Sequence, residues 1–116
     1  MMECTTVPFR ELCRILSRHT KLYTEMVVCS TLWFHPEEAF RRLVVPKSQH
    51  PVALQLGGND PTQLRLAVRF ALLAGYDEIN LNCGCPSSKV AGKGAFGAAL
   101  MLRPKHTARC LEAMMD

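Results

Sequence analysis

Three short runs of β-branched, aromatic and other apolar residues centre on Tyr23, Val52 and Ile79, and this recurrence at about 26 to 29 residues constrains the fold most tightly. It is the rhythm of βα units feeding a parallel sheet. Leu22 to Cys29 reads as the first strand. Val52-Ala53-Leu54-Gln55-Leu56, stopped by Gly57-Gly58, suits a strand buried on both faces. Glu78 to Asn82 supplies the third. Thr6 is placed to cap a first helix, with Pro8 in its opening turn and Phe9, Leu12, Cys13, Ile15 and Leu16 as an apolar stripe expected to face the core. That helix should end near Ser17 to Thr20. Pro36 opens a short helix over Glu37 to Leu43. Asp60-Pro61 starts another, which buries Leu64, Ala67, Val68, Ala71 and Leu72 and stops at Gly75 in a left-handed conformation. A glycine-rich loop spans Gly84 to Gly97, and a last helix runs from Pro104 to Met115.

Such strands carry functional residues at their C-terminal ends. A chain of 116 residues is one small domain, and 48% hydrophobic against 21% charged residues makes it globular rather than disordered. The net charge of +4 is compatible with a polyanionic partner such as RNA and equally with an ordinary solvated surface. No apolar run reaches the roughly 18 residues of a membrane span. The start, Met1-Met2-Glu3-Cys4, lacks the pattern of a cleaved secretory signal. The expected compartment is therefore cytoplasmic or organellar (plastid or mitochondrion), with the six cysteines as reduced thiols. Cys83-x-Cys85 and scattered histidines do not make a metal site.

The chemistry concentrates in Asn80-Leu81-Asn82-Cys83-Gly84-Cys85-Pro86-Ser87. A strand ends at Asn82, Gly84 permits a conformation or close approach that a Cβ would block, and Pro86 fixes the chain after Cys85. Cys85 thus sits on a stiff loop at the mouth of the sheet, where a thiol serves as nucleophile or as proton donor. Cys83 reads as a small buried hydrophobe. Gln55 is a lone amide in an apolar strand and needs a partner. Asn82 either contacts a ligand or caps the loop backbone. Gly92-x-Gly94-x-x-Gly97 fits the dinucleotide fingerprint only formally. It lies too far beyond the strand, so its glycines are expected to shape the loop that carries Cys85.

Asp77 to Ser87 resembles the core motif of the tRNA-dihydrouridine synthases. So does Gly94-Ala95-Phe96-Gly97-Ala98-Ala99-Leu100-Met101. Leu22-Tyr23-Thr24-Glu25-Met26 and Pro51 to Gly58 resemble the same family, collinearly, so the likeness extends from Met1 to about Met115. The resemblance implies part of an eight-stranded β/α barrel with FMN at its C-terminal face and NADPH as reductant. It implies reduction of a tRNA uridine to 5,6-dihydrouridine, with hydride delivered to C6 and a proton to C5. By motif match Cys85 is the proton donor, Asn82 faces the target base, Gln55 bonds the flavin ring, and Met1 falls at the methionine of the family's Ala-Pro-Met flavin loop. That alanine and proline are absent here, and Cys4 replaces a tryptophan.

The resemblance also implies that the flavin lysine and histidine, the phosphate loops and a helical tRNA-binding domain lie beyond Asp116, so this chain by itself is expected to bind FMN poorly. Lys89 and Lys93 are placed to meet RNA phosphate. Two alternatives stand beside this reading: another FMN barrel oxidoreductase of the dihydroorotate dehydrogenase type, and a non-catalytic fragment.

Overall fold

The three apolar runs pair as a parallel sheet in the order β1-β2-β3, with β1 at Leu22–Val28, β2 at Val52–Gly57 and β3 at Glu78–Leu81. The computed structural model of the chain describes residues 2–116, with positions 38, 39 and 42 described by their backbone alone. Helix α1 (Val7–Leu16) precedes the sheet. Helices α2 (Cys29–Phe34) and α3 (Pro36–Leu43) follow β1, α4 (Pro61–Ala74) follows β2, and α5 (Pro104–Met115) follows β3. This is α/β architecture, three βα units of a partial (β/α)8 barrel, with the free edges of β1 and β3 as the outer strands of the sheet. No helix among the described residues is long and apolar enough to cross a membrane.

Alternation along the strands separates two faces. Leu22, Val52, Leu54 and Leu56 are buried beneath the helices with Leu64, Ala67, Val68 and Ala71 of α4, and Ile79 and Leu81 pack against that cluster. The opposite face carries Gln55 beside its register partner Asn80. The β1–β2 register shifts between Tyr23 and Met26, and there the Thr24 hydroxyl accepts the Gln55 backbone N–H at 3.1 Å.

Helix α4 follows its sequence signals. Asp60 Oδ1 accepts from the Thr62 and Gln63 N–H groups at 2.8 and 3.0 Å. Gly75 closes the helix at φ +83°, and its N–H returns to the carbonyls of the last turn. Leu72, expected in the core, is exposed because the buried face is met by Leu64, Ala67, Val68 and Ala71 alone. Three strand ends also move by a residue: Cys29 opens α2, β2 takes in Gly57, and β3 stops at Leu81, although the Asn82 N–H still reaches Leu56 O at 2.8 Å.

Helix α1 departs furthest from expectation. Its stripe of Phe9, Leu12, Ile15 and Leu16 is exposed, the last two at 80% and 78%, and of the five only Cys13 joins the core. Thr6 stands at the cap position without a side-chain cap bond. The cause is polar. Arg10 Nε donates to Gln49 Oε1 at 2.7 Å, and Arg14 donates to the carbonyls of Ser17, Gln49 and Pro51 at 2.9 to 3.0 Å. Gln49 Nε2 in turn donates to Val7 O and Glu11 Oε1. A buried guanidinium is tolerable only when bonded, so these carbonyls fix which face of α1 turns inward. Burial pulls the Arg10 pKa down from its ordinary value.

Candidate functional site

At the C-terminal ends of β2 and β3, three carboxamides form one chain. Gln55 Nε2 donates to Asn80 Oδ1 at 3.0 Å, and Asn82 Nδ2 donates to Gln55 Oε1 at 3.1 Å. Asn82 Oδ1 then accepts the backbone N–H groups of Gly84 and Cys85 at 3.2 and 3.0 Å. Parallel pairing puts Gln55 and Asn80 side by side, and the two-residue strand period puts Asn82 on the face of Asn80. Asn82 therefore caps the loop. Of the two readings open from the sequence, the backbone-cap geometry is present. A carboxamide carries two donors and two acceptor lone pairs, so its second Nδ2 hydrogen stays available to a ligand.

Cys85 is gripped from both sides. Its N–H is held by Asn82, and its carbonyl accepts the Ala98 N–H at 3.0 Å. The thiol is only partly buried. Gly97, at φ +61°, lies against it, and a Cβ there would stand 2.7 Å from Cys85 O and from Val90 Cγ1. The expectation that the second glycine cluster shapes the Cys85 loop is met at Gly97. The matching expectation for Gly84 is not, because a Cβ at Gly84 would meet nothing within 4 Å. Tightness at Cys85 comes from the returning strand of the loop. Ser88–Lys93 between the two forms a π-helical turn, and Gly97 opens a 3₁₀ segment, Gly97–Leu102, so the glycine-rich stretch is more ordered than its composition suggests.

Burial pushes Cys29 up to about 12, and it raises Cys83 and Cys110 from their ordinary values. Cys83, expected to be a buried hydrophobe, is only half-buried and lies outside the core cluster. Among the described residues no group of three or more His, Cys, Asp or Glu side chains could hold a metal ion. Met1 lies outside the described residues. Sequence reasoning missed Asn80, whose signal is a carboxamide inside an apolar strand two residues before Asn82. It missed Thr24 as well, which bonds the Gln55 backbone from a neighbouring strand.

A family model described as dihydrouridine synthase matches residues 1–116. The chain belongs to the dihydrouridine synthase family. It is 47% identical over 116 residues to proteins of Salmonella typhimurium and Pseudomonas aeruginosa named tRNA-dihydrouridine(20/20a) synthase, in each case covering all of this chain and 34% of the relative. An Escherichia coli protein of the same name is 46% identical over 116 residues and 32% covered. The chain thus spans about a third of the length of the curated relatives it matches. Family membership decides against the dihydroorotate dehydrogenase group.

Proposed function

We propose that this dihydrouridine synthase-family segment carries the proton-donor half of a flavin-dependent reduction of uridine to 5,6-dihydrouridine in tRNA, acting in the cytosol or an organelle. The observation that carries the proposal is the double backbone grip on Cys85 beside an amide chain with capacity to spare. The name of the relatives, tRNA-dihydrouridine(20/20a) synthase, supplies the substrate class. Cys85 holds a proton at Sγ and delivers it to C5 of the pyrimidine, whose carbon turns enolate-like as C6 is reduced. A positioned acid of this kind contributes a factor of about 10² to 10⁴. Pinning both the N–H and the C=O of Cys85 sets where that proton stands. Asn82 caps the loop with its oxygen and offers its second N–H to a uracil carbonyl.

Gln55 is suited to a flavin ring. After its bonds to Asn80 and Asn82, it retains one N–H and one oxygen lone pair on the uncovered face of the sheet, the complement of an imide edge with one acceptor and one donor. FMN, rereduced by NADPH, supplies the two-electron reduction when bound.

Two measurements test the assignment. In the protein that carries this segment, Cys85→Ala should abolish most turnover, scored by nucleoside analysis of tRNA, while flavin absorbance is retained; full turnover removes Cys85 from the mechanism. The unpaired edges of β1 and β3 favour a second reading, in which this chain alone retains no flavin. Stoichiometric flavin in the purified 116-residue chain would overturn it.

A further inference from the structure

The amide chain has a direction, and one end of it is fixed. Backbone N–H groups only donate. Because the Gly84 and Cys85 N–H groups both meet the Asn82 side chain, the atom there must be Oδ1. Asn82 Nδ2 therefore faces Gln55, which must answer with Oε1. That leaves Gln55 Nε2 for position 80, where an acceptor is required, and Asn80 Oδ1 supplies it. Reversing Gln55 would set its NH₂ against that of Asn82. Reversing Asn82 in response would set an NH₂ against two backbone N–H groups. All three carboxamides therefore share one orientation, and the Gln55 backbone that carries the middle member is anchored by Thr24.

We propose that Asn80 is a positioning residue: its side-chain oxygen holds the Gln55 carboxamide in the polarity that the loop N–H groups impose through Asn82, and by holding Gln55 it steadies Asn82 and the Cys85 loop. Position 80 needs an acceptor, not an amide. The same lock dictates that Gln55 turns its remaining N–H and lone pair to the ligand in one fixed order, a consequence that rests on the function proposed above. Among the described residues the Asn80 side chain bonds Gln55 and neither the loop backbone nor Cys85, so its influence on them passes through Gln55 and Asn82.

The test compares Asn80→Leu and Asn80→Asp in the purified chain by amide hydrogen exchange, with site-resolved alkylation of Cys85 as a second readout. Asn80→Leu should speed exchange at Gly84 and Cys85 by up to about tenfold, the worth of a net hydrogen bond. The Asn82 N–H, held by Leu56 O at 2.8 Å, serves as the internal reference and should change little. Asn80→Asp keeps the acceptor and should match the wild type at all three amides. If Asn80→Leu does not fold, Asn80→Ala removes the acceptor with less apolar bulk and is read in the same way. Unchanged Cys85 exchange on losing the acceptor overturns the proposal. So does equal acceleration at Asn82 and Cys85, which marks general loosening, or an Asn80→Asp variant as impaired as Asn80→Leu. Exchange is read without flavin or tRNA, so loss of turnover in Cys85→Ala and loss of the exchange pattern in Asn80→Leu report separately on function and on positioning.

Discussion

Replacing Gly97 with alanine strikes the seat of Cys85 without touching the thiol. Two costs can be read from the structure. The residue sits at φ +61°, where an L side chain costs about 1–2 kcal/mol. The new Cβ would also stand 2.7 Å from Cys85 O and Val90 Cγ1, and 3.3 Å from Cys85 Cβ. Val90 can give way, but the Cys85 carbonyl is pinned by the Ala98 N–H at 3.0 Å, so relief there means weakening a hydrogen bond worth about 0.5–1.5 kcal/mol. The sum is a loss of about 2–3 kcal/mol, or roughly 8–12 °C in Tm for a domain of this size. Urea denaturation followed by far-UV circular dichroism measures it, with Gly84→Ala as control. Gly84 has a free Cβ position and no positive φ, so that change should be neutral or slightly stabilising. A Gly97→Ala variant within about 0.5 kcal/mol of wild type, or a Gly84→Ala variant equally damaged, would refute the steric argument.

Other sites give independent checks. Asp60→Ala removes the oxygen that accepts two N–H groups at the start of α4 and should cost about 1 kcal/mol in the same denaturation experiment. Gln49→Leu leaves the buried Arg10 guanidinium without its Nε partner and should cost about 2–4 kcal/mol, whereas a surface-like loss below about 0.5 kcal/mol would show that water replaces the bond. Asp77 accepts the Val52 N–H at 2.7 Å and the His50 ring at 2.8 Å, and the Val52 bond first, then His50, holds its carboxyl below the usual 3.8. Its folded pKa is depressed, so its contribution is full above the unfolded pKa and vanishes as pH falls through the folded one. The stability gap between wild type and Asp77→Asn, followed by denaturation midpoints from about pH 6 to pH 3, should narrow on acidification; a gap independent of pH would assign the effect to packing.

Much of the fold was legible because its signals are local. The 3.6-residue and two-residue periods, the Asp60-Pro61 start and the Gly75 stop each depend on residues within a turn of one another, and α4, β2 and β3 follow them. The Cys85 loop was legible in part for the same reason, as a thiol followed by a proline at a strand end, whereas the Gly84 signal beside it misled. Periodicity failed at α1. An apolar stripe says that a face wants covering, not that the rest of this chain covers it, and two arginines decided the orientation instead.

By itself, then, the sequence determined the parallel α/β plan, the helix boundaries of α4 and the thiol at the mouth of the sheet. Tertiary structure decided which groups seat that thiol, Asn80 to Gln55 across 25 residues and Gln55 to Asn82 across 27, and which face of α1 turns inward, through Arg10 to Gln49 across 39. The physical reason is that a hydrogen bond has a direction and a length as well as a residue type. A buried amide in a sequence announces only that a partner is needed; the sheet register names the partner and fixes which atom faces it.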